Sequence, residues 1–306
     1  MAAVEAALER AGEVIRLEGD AKFPQRLQQT RPHIVFNIAK GRYGPNRRAH
    51  VPAICEFYDT PYTASDPLAF SLAVDRGRAK EVFLAHGVTT AAWAILSNGS
   101  QLEASFEGRT GPWVVKPVFE TSTRRVRAYC DTPGAVTRRV ETIAERYGQP
   151  ALVEEYLPGR EFVVCIVGNG AGARALPLVE KCFGALPVGA ARVSGHDRSW
   201  LRDTPERPLP ILECPAPVDM RLNDAVVSVA LSAYNALRCR DCARVDVRLD
   251  AQGLPHVLEV NPLPELPPDP AQSAVLPRAA RAAGLEYGEL IRCVLDIALA
   301  RYGMTR

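Results

Sequence analysis

Apolar positions recur along this chain at two spacings, and the alternation of the two sets out its elements. Val245, Val247 and Leu249 alternate with Asp246, Arg248 and Asp250, the period of a half-buried strand. A turn signal, Asp250-Ala251-Gln252-Gly253, follows, and His256 to Val260 forms a second strand, so the pair predicts a hairpin. Apolar runs with polar flanks predict buried strands over 33–38, 113–116, 151–157, 161–167 and 175–180. A period of 3.6 predicts helices over 134–147 and 219–237, and two more within 277–301. Residues 67–85 read as one helix, and a new strand begins near Gly87. Within 1–66, helix (4–11), strand (13–17), helix (23–29), strand (33–38) and helix (51–58) alternate. That is the grammar of a doubly wound parallel sheet. Such a unit opens on a strand, whereas this one opens on a helix, so its first strand is expected to be absent. Residues 184–217, rich in Pro and Gly, predict a long irregular segment of the kind that acts as a lid. The chain thus divides into 1–66, 67–153 and 154–306, an α/β architecture with two α+β units following the first.

The hairpin brings candidate chemistry. Asp246 and Glu259 fall opposite each other on one face, and Asn261, two residues on, shares it. Two carboxylates and an amide oxygen are hard ligands suited to Mg²⁺. The alternative is a pair of solvated acids, the usual fate of Asp and Glu. Glu259 weighs against it, flanked by Leu258 and Val260, because an acid in an apolar strand needs a partner or a metal. Lys116, at the end of an apolar strand and before a Ser/Thr-rich loop, is a candidate phosphate clamp or a solvated strand cap.

Composition narrows the function classes. The 306 residues carry a net charge of +2 without a long basic run, which excludes a nucleic-acid binder of the usual basic kind. No apolar run reaches membrane-spanning length and no signal peptide opens the chain, so no membrane association and a cytoplasmic location are expected. Lysine is scarce, with only Lys22, Lys40, Lys80, Lys116 and Lys181 among 37 basic residues, which makes each one notable. The eight Cys are scattered through apolar stretches and read as reduced core residues. Cys239-Arg240-Asp241-Cys242 lacks the second pair a zinc site requires.

Several segments together resemble the D-alanine–D-alanine ligase-like ATP-grasp family over nearly the whole chain. They are Phe36-Asn37 through Gly41, Pro61 through Leu68, Val115-Lys116-Pro117, Leu152 through Phe162, Arg244-Val245-Asp246 and Leu258 through Pro262. The resemblance implies an ATP-grasp fold of three domains clasping ATP between the second and third. It implies a ligase that activates a carboxylate as an acyl phosphate for attack by an amine. ATP and two Mg²⁺, with Mn²⁺ as a substitute, would be the cofactors. Lys116 and Arg76 would contact phosphates. Glu154, Glu155, Tyr156 and Leu157 would form the adenine hinge, with Leu258 beside the nucleotide and Glu161 on the ribose. Asp246, Glu259 and Asn261 would hold metal, while Arg244 and Ser122 would act at the reacting groups. Small-molecule acid and amine substrates and a homodimer through the first domain are further implications.

Departures sit at particular positions. The family's phosphate loop reads Glu-Gly-Ser-Ser, whereas this chain has Glu120-Thr121-Ser122-Thr123, and Arg125 replaces a second Gly. Arg76 stands for a family Lys, Lys40 for a His and Glu265 for a Gly, and Lys40 and Glu265 would face the substrates. Arg192, Arg198 and Arg202 in the lid segment add charge of a kind suited to a different carboxylate. These changes leave a second expectation beside the ligase, that of a degenerate nucleotide-binding protein with a regulatory role and no turnover.

Overall fold

A computed structural model of the protein describes residues 2–98, 106, 111–119, 127–183, 193, 211–269 and 274–305. Two antiparallel sheets dominate it. The first runs in the order β1 (Trp93–Leu96), β4 (Ala151–Glu155), β2 (Trp113–Pro117), β3 (Ala128–Cys130). The second runs β10 (Pro255–Asn261), β9 (Cys242–Leu249), β5 (Glu161–Val167), β7 (Val179–Cys182), β8 (Ile211–Glu213), with the short β6 (Arg174–Ala175) on β5. The first sheet buries one face on a helix, whereas the second is packed on both faces, Val163, Cys165 and Val179 lying against Leu276, Ala279 and Leu290 near the C-terminus. Trp113, Val115, Ala151 and Val153 of the first pack on Val136, Val140 and Ile143 of α6 (Pro133–Tyr147). That helix begins on a Thr132 cap and ends on Gly148, whose φ of +59° suits an achiral residue. Phe162, Val164, Val245, Val247, Val257 and Val260 of the second sheet pack on α7 (Met220–Ala236) through Val226, Ala230 and Tyr234.

The N-terminal unit departs from the expectation. Residues 13–18 and 33–34 form no strand, and the expected parallel sheet is reduced to one parallel bridge, Val35 to Tyr62. A strand exists only through a neighbour's ladder. Here the segment before residue 13 is α1 (Ala2–Leu8), packed through Val4 and Ala7 on Ile291 of α9 (Tyr287–Arg301). A small core of Phe23, Leu27, Val51, Cys55 and Tyr62 joins α2 (Phe23–Thr30) and α3 (His50–Phe57).

Two further readings change. The expected helix over 67–85 is α4 (Pro67–Val74) and α5 (Arg76–Ala85), divided at Asp75. The Asp75 backbone is extended, and its carboxylate caps α5 by accepting from the amides of Gly77 and Arg78 at 3.1 and 3.0 Å. An internal Asp thus ends one helix and starts the next. Ala79 and Phe83 of α5 join the core of the second sheet, while Asp75 bridges to Phe119 beside the first, so α5 is shared between the two. The boundary expected between 153 and 154 falls inside β4. The strand expected over 175–180 is interrupted after Ala175, where Pro177 offers no N–H to a ladder, and pairing resumes at Val179.

Asp241 ties three parts of the chain together. It is fully buried and accepts from Arg301 Nε and Nη2 (3.0 and 2.8 Å), Asn169 Nδ2 (3.0 Å) and the Ala64 amide (2.9 Å). Asp241→Ala leaves the Arg301 guanidinium without its counter-charge. It is expected to lower the unfolding free energy by about 3–5 kcal/mol. Urea denaturation measures this, and a loss below about 1 kcal/mol would show the cluster to be peripheral to stability.

Among the described residues no helix is long and apolar enough to cross a membrane. The cysteines are free, and Cys239 and Cys242 are buried, in keeping with core roles.

Candidate functional site

The two sheets face each other across a cleft lined by Val114, Lys116, Arg127, Glu154, Glu155, Tyr156, Leu157, Glu161, Val193, Arg248 and Leu258. Strand alternation fixes which residues reach it. In β2, Trp113 and Val115 face the core, so Val114 and Lys116 face the cleft. In β4, Ala151 and Val153 are the core residues, which leaves Glu154 on the cleft side. Lys116 Nζ lies 2.6 Å from Glu154 Oε2, and Lys80 Nζ, from α5, lies 2.8 Å from Oε1. All three side chains are under 5% exposed. Burial alone would raise the Glu154 carboxyl, but the charges of Lys116 and then Lys80 bring it down to about 2. Burial lowers Lys116 to about 8, with Glu154 opposing that shift and Arg127 and Arg76 adding to it. Glu154 therefore pairs with two lysines at once, one on each oxygen.

The second sheet carries two charged rows. One crosses Lys181, Glu161 and Arg248, which are register partners. Lys181 Nζ is 2.7 Å from Glu161 Oε1, and Arg248 Nη1 is 2.9 Å from Oε2. Despite burial these cations, Lys181 first, keep the Glu161 carboxyl below its ordinary range. The next row holds Asp246 and Glu259. Their pairing depends on a bulge. Val257 pairs with Val247, and an unbroken antiparallel ladder would set Glu259 opposite Val245, facing the core. The register slips between Val257 and Glu259, Leu258 takes up the extra residue, and Glu259 pairs with Asp246. Asn261 then pairs with Arg244 on the same face.

These groups are held by cations. Glu259 Oε1 is 2.7 Å from Arg127 Nη2 and 3.4 Å from Arg244 Nη2, while Oε2 is 3.2 Å from Arg76 Nε. Burial opposes ionisation of Glu259, but Arg127 first, then Arg76, Lys116 and Arg244, hold it well below the usual carboxylate range. Arg76, the first residue of α5, also donates to the Pro117 carbonyl at 3.3 Å and so touches both sheets. Asp246 meets Arg244 Nε at 3.1 Å and Lys181 Nζ at 3.3 Å. Asn261 Oδ1 accepts from Arg48 Nη1 at 2.8 Å and from the Leu263 amide at 3.1 Å. Both its lone pairs are thus engaged. The donor set fits a hard divalent cation at Asp246 and Glu259. Ligation by Asn261 requires it to exchange Arg48.

The cleft is polarised. Along β2 and β4 the register sets Lys116, with Arg127 and its partner Glu259, toward one end, and Val114 and Leu157 toward the other, with Leu258 also lining the cleft. At the apolar end, the amides of Glu155 and Tyr156 already donate to the carbonyls of Ala92 and Pro112 at 2.9 and 3.0 Å. The Leu157 amide has no backbone acceptor among the described residues. The Tyr156 ring is clamped under Arg248 and edge-on to Tyr129. A flat heterocycle with one acceptor fits the apolar end, and a polyanion fits the cationic end.

Lys40 and Glu265 lie apart from this cluster and pair with each other, Nζ to Oε1 2.6 Å, with both side chains more than half exposed. Ser122, with Glu120, Thr121 and Arg125, and the lid arginines Arg192, Arg198 and Arg202 lie outside the described residues. A separate trio, Glu180, Cys182 and Glu213, has metal-like spacing, but Arg160 already holds Glu180 by both oxygens at 2.8 and 2.6 Å.

Sequence reasoning did not single out Lys80, Lys181, Arg127 or Arg248. The first two had a visible signal, since Lys80, Lys116 and Lys181 are three of only five lysines in the chain. Arg127 had none, because β3 is three residues long and its pattern does not alternate.

Comparison with known proteins gives this geometry a context. A family model described as D-ala D-ala ligase C-terminus matches residues 83–296. The chain is 34% identical over 308 residues to "Uncharacterized protein y4sG" of Sinorhizobium fredii, which covers 98% of this chain and 87% of that protein. It is 33% identical over 269 residues to D-alanine--D-alanine ligase of Bordetella parapertussis, covering 87% of this chain and 78% of that one. The crystal structure of D-alanine--D-alanine ligase from Bacillus anthracis complexed with ATP superposes with a TM-score of 0.76 at 22% identity. It covers 98% of this chain and 91% of that one. At that identity the likeness shows the fold, which is ATP-grasp.

Proposed function

This chain belongs to the D-alanine–D-alanine ligase family, and on that premise we propose that it is an ATP- and Mg²⁺-dependent carboxylate–amine ligase. The carrying observation is the polarised cleft: an apolar slot at one end, and at the other a carboxylate pair set in an excess of cations. The adenine ring occupies the slot, with the Leu157 amide as its donor. Glu161, at the junction of slot and cationic end, accepts from the ribose hydroxyls. Lys116, Arg127 and Arg76 receive the phosphates. Bound Mg²⁺ supplies charge neutralisation for the transferred phosphoryl group. Asp246 and Glu259 would hold it, and Asn261 could join them only by giving up its bond from Arg48.

The substrate carboxylate attacks the terminal phosphorus, and ADP departs as the acyl phosphate forms. The amine then attacks the acyl carbon, inorganic phosphate leaves, and the amine proton passes to solvent or a base. Arg244, which pairs with Asp246, would hold the oxyanion of the tetrahedral stage. Catalysis of this kind is positioning plus electrostatics. Lys40 and Glu265 form the substrate-facing pair, and their opposite charges favour acid and amine partners other than two D-alanines.

ADP release measured against pools of amino acids and dipeptides tests the reading. An acid and an amine that together raise ADP release above the ATP-only background are expected. Tight ATP binding with no stimulated release would replace the ligase by a nucleotide-binding protein without turnover.

A further inference from the structure

Arg127 occupies an unusual place. It immediately precedes β3, one residue beyond the pair Val115–Ala128, and so sits across from Lys116 in the continuation of that register. The two cations line the same end of the cleft. Lys116 is held on its own sheet by Glu154, at 2.6 Å. Arg127 instead reaches across the cleft to the other sheet, where Nη2 lies 2.7 Å from Glu259 Oε1. That oxygen belongs to the carboxylate paired with Asp246 on the bulged hairpin. Arg127 is also close enough to Asp246 and Glu161 for both to stabilise its charge.

Resting on the ligase reading above, we propose that Arg127 is a positioning residue that exchanges partners. In the free protein it pairs with Glu259. When metal and nucleotide arrive together, Glu259 turns to the cation and Arg127 to the phosphates. A guanidinium and a divalent cation compete for the same carboxylate oxygen, so metal alone must displace Arg127 from its nearest counter-charge and leave it beside Lys116. A nucleotide alone must draw Arg127 away and leave Glu259 with less neutralisation. Each ligand removes the cost the other meets. The exchange therefore makes the two bindings mutually favourable, and by linkage the factor is the same in both directions. Arg76 and Arg244 remain on Glu259 at 3.2 and 3.4 Å, longer than the Arg127 contact, so Arg127 is the arginine whose release matters most.

The test uses the full chain and three titrations by calorimetry: Mn²⁺ alone, ADP alone, and ADP with saturating Mg²⁺. The unsubstituted protein is expected to bind ADP about 5- to 150-fold more tightly with Mg²⁺ than without. In Arg127→Gln, Mn²⁺ alone binds more tightly, ADP alone more weakly, and the enhancement by Mg²⁺ falls. Arg127→Lys keeps a cation at the position, and its effects are expected to have the same signs and smaller size. A merely structural role would weaken both ligands together and would not produce opposite signs. Mn²⁺ binding that is unchanged or weaker in both variants overturns the proposal. Failure of the unsubstituted protein to bind ADP with Mg²⁺ overturns the nucleotide reading itself, and the inference with it.

Discussion

Glu259→Gln is expected to abolish most ATP-dependent turnover while leaving the fold and nucleotide binding in place. The amide is nearly isosteric, and its carbonyl oxygen can still accept from Arg127 and Arg244. What it loses is the negative charge that would hold a divalent cation opposite Asp246. A metal stabilises a transferred phosphoryl group by several kcal/mol, and each ~1.4 kcal/mol is a factor of ten. The rate of substrate-stimulated ADP release should therefore fall by at least about 100-fold. The hairpin ladder does not depend on that charge, and the side chain is 12% exposed, so the loss of stability should stay near 1–3 kcal/mol. Removing one carboxylate also leaves the cleft more positive, so ADP without metal should bind as well as before or better. Turnover at the unsubstituted rate would show that Glu259 is no metal ligand.

Glu154→Ala should act in the opposite way, on the fold first. The substitution leaves Lys80 and Lys116, both nearly inaccessible, facing each other across an empty space. Removing the shared partner of buried charges costs about 3–5 kcal/mol. Urea denaturation is the measurement, and a loss under about 1 kcal/mol would mean that water reaches both lysines. Adding Lys80→Met should return part of the stability, because the two changes share a partner and are not additive. The sign with pH follows from the lowered Glu154 carboxyl. Its ionised form stabilises the fold above the ordinary carboxylate range, and that contribution disappears as pH falls toward about 2.

Much of the site was legible because its residues break a local pattern. Glu259 interrupts an apolar strand, Lys116 ends one, and Glu154 and Glu161 flank an exit turn. Each is a polar group where the period calls for an apolar one, and burial of that kind demands a partner. The strands β2, β4, β5, β9 and β10 and the helices α6, α7 and α9 were equally plain, whereas β3 and β8, three residues each, were not, and β8 falls in the segment expected to be irregular. The N-terminal parallel sheet was misread for a physical reason. Short apolar runs such as 13–17 say that a segment is half-buried, not that a neighbour is available to pair with it. The division of 67–85 at Asp75 was hidden because one helix carries straight into the next with no Gly or Pro between them. The ion-pair pattern was beyond reach, because it depends on two sheets meeting. No spacing along the chain relates Arg127 to Glu259, or Lys80 to Glu154.

The bulge at Leu258 has a consequence for how such a site can vary. An unbroken strand sends consecutive side chains to opposite faces, whereas here Leu258 and Glu259 serve the same cleft, one lining it and the other paired with Arg127. The surplus residue adds an apolar wall to the cleft without disturbing the carboxylate pair, since a ladder one residue shorter would still set the acid opposite Asp246. The natural axis of change at this hairpin is therefore chain length as well as residue type. Loss of a single codon would reshape the apolar wall of the cleft and spare the Asp246–Glu259 pair, so the two are free to drift independently.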